Sequence, residues 1–121
     1  MTTQGTMQHM TISILRAPDG ELDVHGLEPG SPLRALIEQD LDDDLDRVET
    51  ILGAAGSIRA GVLDAYDSAY DLNRIAVAPD GARIRTTYSG PDGPGDATVP
   101  LDQLAFALGA LRALLLTETS A

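Results

Sequence analysis

The sequence predicts an α+β domain: two antiparallel β-hairpins forming one sheet, packed against an acidic amphipathic helix and a C-terminal helix. Three observations carry this expectation. Two stretches alternate apolar and polar residues on either side of a Pro-Asp-Gly turn, a run from Leu33 to Leu52 has its apolar residues at helical spacing, and a second helical stripe runs from Leu101 to Leu115. Helices set on one face of an antiparallel sheet bury a strand face and a helix stripe in one core.

In chain order, MTTQGTMQ (residues 1–8) carries no pattern and reads as a loose tail, with Met7 and Met10 as alternative starts. MTISILRAPDGELDV alternates around its turn, which gives strands near residues 10–16 and 21–25. GLEPGSP is a loop, and Ser31-Pro32 starts a helix with serine as N-cap and proline in the first helical position. Apolar residues then fall at 33, 36, 37, 41, 45, 48, 51 and 52, before Gly53 and Gly56 are expected to end the helix. Acids fill the gaps. EQDLDDDLDRVE, residues 38–49, holds seven carboxylates in twelve positions. It is the outer face of one amphipathic helix, or of two short helices with Asp40 or Asp42 capping the second.

Residues 57–70, SIRAGVLDAYDSAY, allow two readings. Ile58, Val62, Tyr66 and Tyr70 recur every four residues, as in a helix, whereas Gly61 and the strand signal that follows weaken that reading. LNRIAVAPDGARIRTTY is a second hairpin, and SGPDGPGDAT a loop. Val99-Pro100 leads into the helix LDQLAFALGALRALLL, and TETSA (117–121) reads as a loose tail. The expected core is Leu36, Ile37, Leu41, Val48, Ile75, Val77, Ile84, Leu104, Leu108 and Leu111.

At 121 residues the chain is one domain, 1–121, able to bury roughly two thirds of its surface. With 43% hydrophobic residues but only three tyrosines and one phenylalanine, its core is aliphatic. No cysteine is present, which excludes disulfides and thiolate chemistry and fits a reducing cytoplasm. No run approaches the ~18 apolar residues of a membrane span, and the N-terminus lacks a charged segment followed by an apolar one, so a cytoplasmic protein is expected. All eight basic residues are arginine, which removes Schiff-base chemistry and a phosphate-binding lysine. The net charge of -11 repels nucleic acid and anionic membranes and attracts basic proteins and cations. Alternatively, the acidity serves solubility alone.

Specific sites are mostly excluded by pattern. A calcium loop needs Gly at its sixth position and a carboxylate at its twelfth. From Asp40 those positions hold Leu45 and Ile51, and from Asp42 they hold Arg47 and Gly53. Gly56 and Gly61 have phosphate-loop spacing, but Val62 and Leu63 stand where Lys and Ser/Thr belong. His9 and His25 lie on or beside the first hairpin with no motif tying them to a serine. No pair among the carboxylates is singled out for acid–base work. The chain is therefore expected to be no enzyme and to use no metal or cofactor.

Two features suit a binding surface instead. The acid run offers Glu38, Asp42, Asp43, Asp44, Asp46 and Glu49. In AYDSAYD, a helical reading puts Tyr66 and Tyr70 on one face with Asp67 and Asp71 beside them. The competing readings are that the acids cap and offset the dipole of a helix, and that both tyrosine rings fill the core.

From residue 66 onward the order of elements resembles small immunity proteins of bacterial polymorphic and contact-dependent toxin systems. The approach YDSAYDLN, the hairpin IAVAPDGARIRTTY, a short acidic loop and the entry VPLDQLAFALGALRALL into a last helix carry the resemblance. It differs in having Ala113 and Leu114 where such helices often hold a tryptophan. The resemblance implies a non-catalytic protein that binds and neutralises a cognate toxin, often a basic nuclease. The acid helix would then be a phosphate-mimicking surface, but no individual binding residue carries over. The alternative is a regulatory or adaptor domain that binds another cellular protein.

Overall fold

In the computed structural model, residues 12–28, 30–86 and 96–120 are described. The first hairpin pairs β1 (Ser13–Arg16) with β2 (Leu22–His25), and Ile14 lies opposite Val24 with both side chains buried. Its turn closes through the Ala17 N–H donating to the Glu21 carbonyl at 2.8 Å, while Gly20 takes the positive φ of 91° that the reversal needs. The beginning of the expected first strand and the N-terminal tail, His9 included, lie outside the described residues.

Ser31 caps α1 (Pro32–Leu36) as expected, its hydroxyl accepting the Arg34 N–H at 3.3 Å. The helix passes directly into a π-helical turn, Ile37–Leu41, whose wider winding leaves Ile37, Asp40 and Leu41 all buried. Asp42–Asp44 leave the helical path, and α2 (Leu45–Arg59) starts afresh. The run is thus two helices, capped by Asp44 and not by Asp40 or Asp42. Asp44 accepts the Arg47 N–H at 3.1 Å, whereas Asp40 faces the interior and Asp42 is held by Arg16.

Gly53 and Gly56 do not end α2. Both lie on its outer side with open space around them, while Ile51, Ala54, Ala55 and Ile58 continue the buried stripe. The helix ends at Gly61, which has a φ of 78°. There the Gly61 N–H reaches the Ile58 carbonyl and the Val62 N–H the Ser57 carbonyl, the paired bonds of a Schellman stop.

That stop ends the helical option for Tyr66 and Tyr70. Residues Tyr66–Ala69 form β3, followed by β4 (Asn73–Ala78), β5 (Gly81–Thr86) and β6 (Asp96–Val99) in one antiparallel meander. Ile75 faces Ile84 across β4 and β5, and Tyr66 faces Val77 across β3 and β4. The segment expected as a loop ends in a strand, since Asp96–Val99 pair with β5; the loop residues 89–95 lie outside the described set.

The two hairpins belong to separate sheets, although one shared sheet was expected. β3 occupies the free side of β4, and β6 the free side of β5, so no edge of the second hairpin remains for the first. The first hairpin packs against α3 (Leu101–Ser120) instead. That helix runs through most of the tail expected to be loose. The Thr117 hydroxyl donates to the Ala113 carbonyl at 2.9 Å, and Glu118 bonds Arg16 on β1 at 3.0 Å. All ten expected core residues are buried to 1% exposure or less, in one cluster fed by both sheets and all three helices.

Candidate functional site

The acidic segment meets the second sheet at the β3–β4 turn. Asp40 stands four residues after Leu36 and three after Ile37, so the helical register points it inward with them. Its carboxylate, 7% exposed, accepts a hydrogen bond from the Asn73 side-chain amide at 2.8 Å. Both oxygens also lie 3.3 Å from the Leu72 backbone N–H. The Asn73 amide donates further to Gln39 at 3.1 Å, and its carbonyl accepts the Thr86 hydroxyl at 3.4 Å. A buried carboxylate is tolerated only when hydrogen-bonded in this way.

Arg47, in the first turn of α2, makes the second link. Its guanidinium lies over the Tyr70 ring, 4.7 Å from the centroid, donates to the Asp40 carbonyl at 3.0 Å and pairs with Asp44 at 3.2 Å. The two candidate stretches of the sequence, 38–49 and 66–71, therefore meet.

The candidate residues fall into three groups. Glu38, Asp42, Asp44 and Glu49 each have an arginine within 3.2 Å: Arg34, Arg16, Arg47 and Arg112 respectively. Asp43, Asp46 and Asp71 are exposed and have no cationic partner among the described residues. Tyr66 and Tyr70 are half-buried and pack against the core, as the core-filling reading expects. Burial pushes the Tyr70 hydroxyl above its ordinary value of 10.0; Tyr66 adds to the shift, while Ser68 and Arg47 oppose it.

The tyrosines and aspartates do not share a face, because a strand alternates where a helix would not. Asp67 points to the outer side of the sheet, where Arg74 lies 3.9 Å away, and Asp71 sits exposed in the turn. Reading the residues in sequence missed Arg47 and Asn73, whose importance arises from contacts across the fold. It also passed over Asp40 as a ligand of the interior, although its helical spacing carried that signal.

Among the described residues no three His, Cys, Asp or Glu side chains converge to hold a metal. His25 is exposed on β2 and lies 3.0 Å from Asp23. A depression of about 430 Å³ between α2, the β4–β5 turn and α3 is lined by Ile58, Arg59, Pro79, Asp80, Pro100, Leu101 and Asp102, and offers no nucleophile paired with a base. No family model matches the chain, and neither does any curated protein or solved structure.

Proposed function

We propose that this chain is a non-catalytic binding protein that neutralises a basic protein partner, and that the partner is a toxin for which the chain is the immunity protein. The observation that carries this reading is the trio Asp43, Asp46 and Asp71, exposed and without a cationic partner among the described residues, on the two segments that the Arg47–Tyr70 stack joins. In a protein of eight arginines, the neighbouring acids Glu38, Asp42, Asp44 and Glu49 are each answered. These three are not. Their platform is fixed by the Asp40–Asn73 bond, so little order has to be created on binding.

A net charge of -11 speeds encounter with a basic surface and disfavours nucleic acid. Among the described residues no helix is long and apolar enough to cross a membrane. The resemblance of residues 66 onward to immunity proteins supplies the more specific half of the proposal.

The test is co-purification with the product of the gene immediately upstream, followed by association rates for the Asp43→Asn/Asp46→Asn/Asp71→Asn variant. Association should slow about tenfold at low salt and approach the wild-type rate as salt screens exposed charges beyond ~10 Å. Unchanged rates would remove the docking surface, and no complex would remove the toxin reading.

A further inference from the structure

The outer face of the four-stranded sheet carries the opposite sign of charge. Its outward positions are Asp67 and Ala69 on β3, Arg74 and Ala76 on β4, Arg83 and Arg85 on β5, and Asp96 and Thr98 on β6. Three of the chain's eight arginines thus share one small face, and Arg74 stands directly across from Arg85. Like charges at opposed positions of an antiparallel pair repel.

The available carboxylates do not relieve that repulsion. Asp96 is committed to Arg83, accepting at 2.6 and 3.0 Å, and reaches Arg85 only at 3.9 Å. Asp67 lies 3.9 Å from Arg74. Arg83 is satisfied, whereas Arg74 and Arg85 are loosely held and 53% and 57% exposed. Ala76, two residues along β4 from Arg74 and opposite Arg83, fills none of the space beside them. It leaves a depression of about 260 Å³ walled by Asp67, Arg74, Arg83 and Arg85.

We propose that this depression binds the phosphate group of a small soluble molecule through the guanidiniums of Arg74 and Arg85. Two facing cations match a compact dianion, and the planar fork of arginine suits the oxygens of a phosphate. Asp67 lines the depression, and Asp96 holds Arg83 at its wall. The two carboxylates limit its occupant to something small, because a long polyanion would lie against them and against the acidic remainder of the chain. The site lies on the outer face of the sheet, which Asp67 shares, and needs no protein partner.

Inorganic pyrophosphate is a suitable probe, with thermal unfolding of the intact chain as readout. At about ten times its dissociation constant it should raise the melting midpoint by about 5 °C over sodium chloride of equal ionic strength. Arg74→Gln and Arg85→Gln should each keep the fold, melt no lower than wild type without ligand, and lose most of the pyrophosphate response. A purely structural role predicts the reverse: a lower ligand-free midpoint with the response intact. A pyrophosphate effect no larger than that of the salt control, or one kept in both variants, would overturn the proposal. Equal binding of a single-stranded RNA at matched phosphate concentration would overturn its restriction to small molecules.

Discussion

Asp40 and Asn73, 33 residues apart in the chain, are joined inside the protein by a 2.8 Å hydrogen bond from the asparagine amide to the carboxylate. With the Leu72 N–H on the same carboxylate and the Thr86 hydroxyl on the asparagine carbonyl, this bond ties the π-helical turn to the β3–β4 turn. The acid surface and the tyrosine strand keep their relative position because of it.

Asn73→Ala should therefore be among the more damaging polar substitutions. It leaves a buried carboxylate with only the Leu72 N–H, and the Thr86 hydroxyl without its acceptor. A loss of about 2–4 kcal/mol is expected in urea unfolding, since a buried carboxylate that loses a hydrogen-bond donor bears the desolvation penalty the donor offset. Asp40→Asn keeps an acceptor and should lose about half as much. If Asn73→Ala unfolds at the wild-type urea concentration, the network does not hold these turns together.

Neighbouring acids should respond in opposite directions. Asp44→Ala removes the cap on the Arg47 N–H and should destabilise by about 1 kcal/mol. Asp43→Asn removes an exposed charge from a crowded run and should be neutral or slightly stabilising. Asp46 lies in the first turn of α2, where its charge offsets the helix dipole, so Asp46→Asn should cost a few tenths of a kcal/mol. Thermal melts of the three single variants separate the roles, and equal effects at 43 and 44 would contradict this division.

Such contrasts show which levels of structure the sequence made legible. Periodicity alone identified the core, because Leu36, Val48, Ile84 and Leu108 obey one helical or strand repeat and nothing competes with it. Loop chemistry was less informative. Both Ala-Pro-Asp-Gly copies make turns, yet the first closes a five-residue loop and the second a two-residue one. The same four residues thus leave the loop length open, and in the second turn Gly81 lies close against β6. The strand at Asp96–Val99 was hidden because β5 stabilises it more than its own residues do. Period-four spacing at Ile58, Val62, Tyr66 and Tyr70 was a coincidence that the Gly61 stop overrides, leaving Val62 80% exposed. The candidate site was legible residue by residue but not as an assembly, since its links run through Arg47, Asn73 and the register of β3.

Acid should loosen the C-terminal turn of α3 before the rest of the helix. Hydrogen bonding from Arg16 holds the Glu118 carboxyl below its ordinary value of 4.5. A carboxyl with a lowered folded value stabilises above the unfolded value, and that contribution disappears as pH falls through the folded one. Amide protection at residues 115–118, taken relative to the intrinsic exchange rate at each pH, should fall as pH drops from about 5 to about 3, with Leu104 and Leu108 still protected. Glu118→Gln should show the lowered protection already at neutral pH. If that variant keeps wild-type protection, the ion pair is not what anchors the turn to β1.

Glycines at two places should give opposite results when changed to alanine. At Gly81 the backbone has a φ of 144°, and an added Cβ would lie 2.8 Å from the Val99 carbonyl oxygen and 3.0 Å from the Thr98 methyl group. Neither neighbour can retreat without breaking the β5–β6 pairing, in which Ala82 faces Val99. Gly81→Ala should lower stability by about 2–4 kcal/mol, through strain at positive φ and through the clash. Gly53 has an ordinary helical backbone with nothing within 4 Å of the new atom. There the substitution only reduces the freedom of the unfolded chain and improves helix propensity, so Gly53→Ala should stabilise by about 0.5–1 kcal/mol. Chemical denaturation of the two variants side by side makes the comparison. Tolerance at Gly81 would mean that β6 does not lie against the start of β5, and the outer sheet face carrying Asp96 would have to be rebuilt.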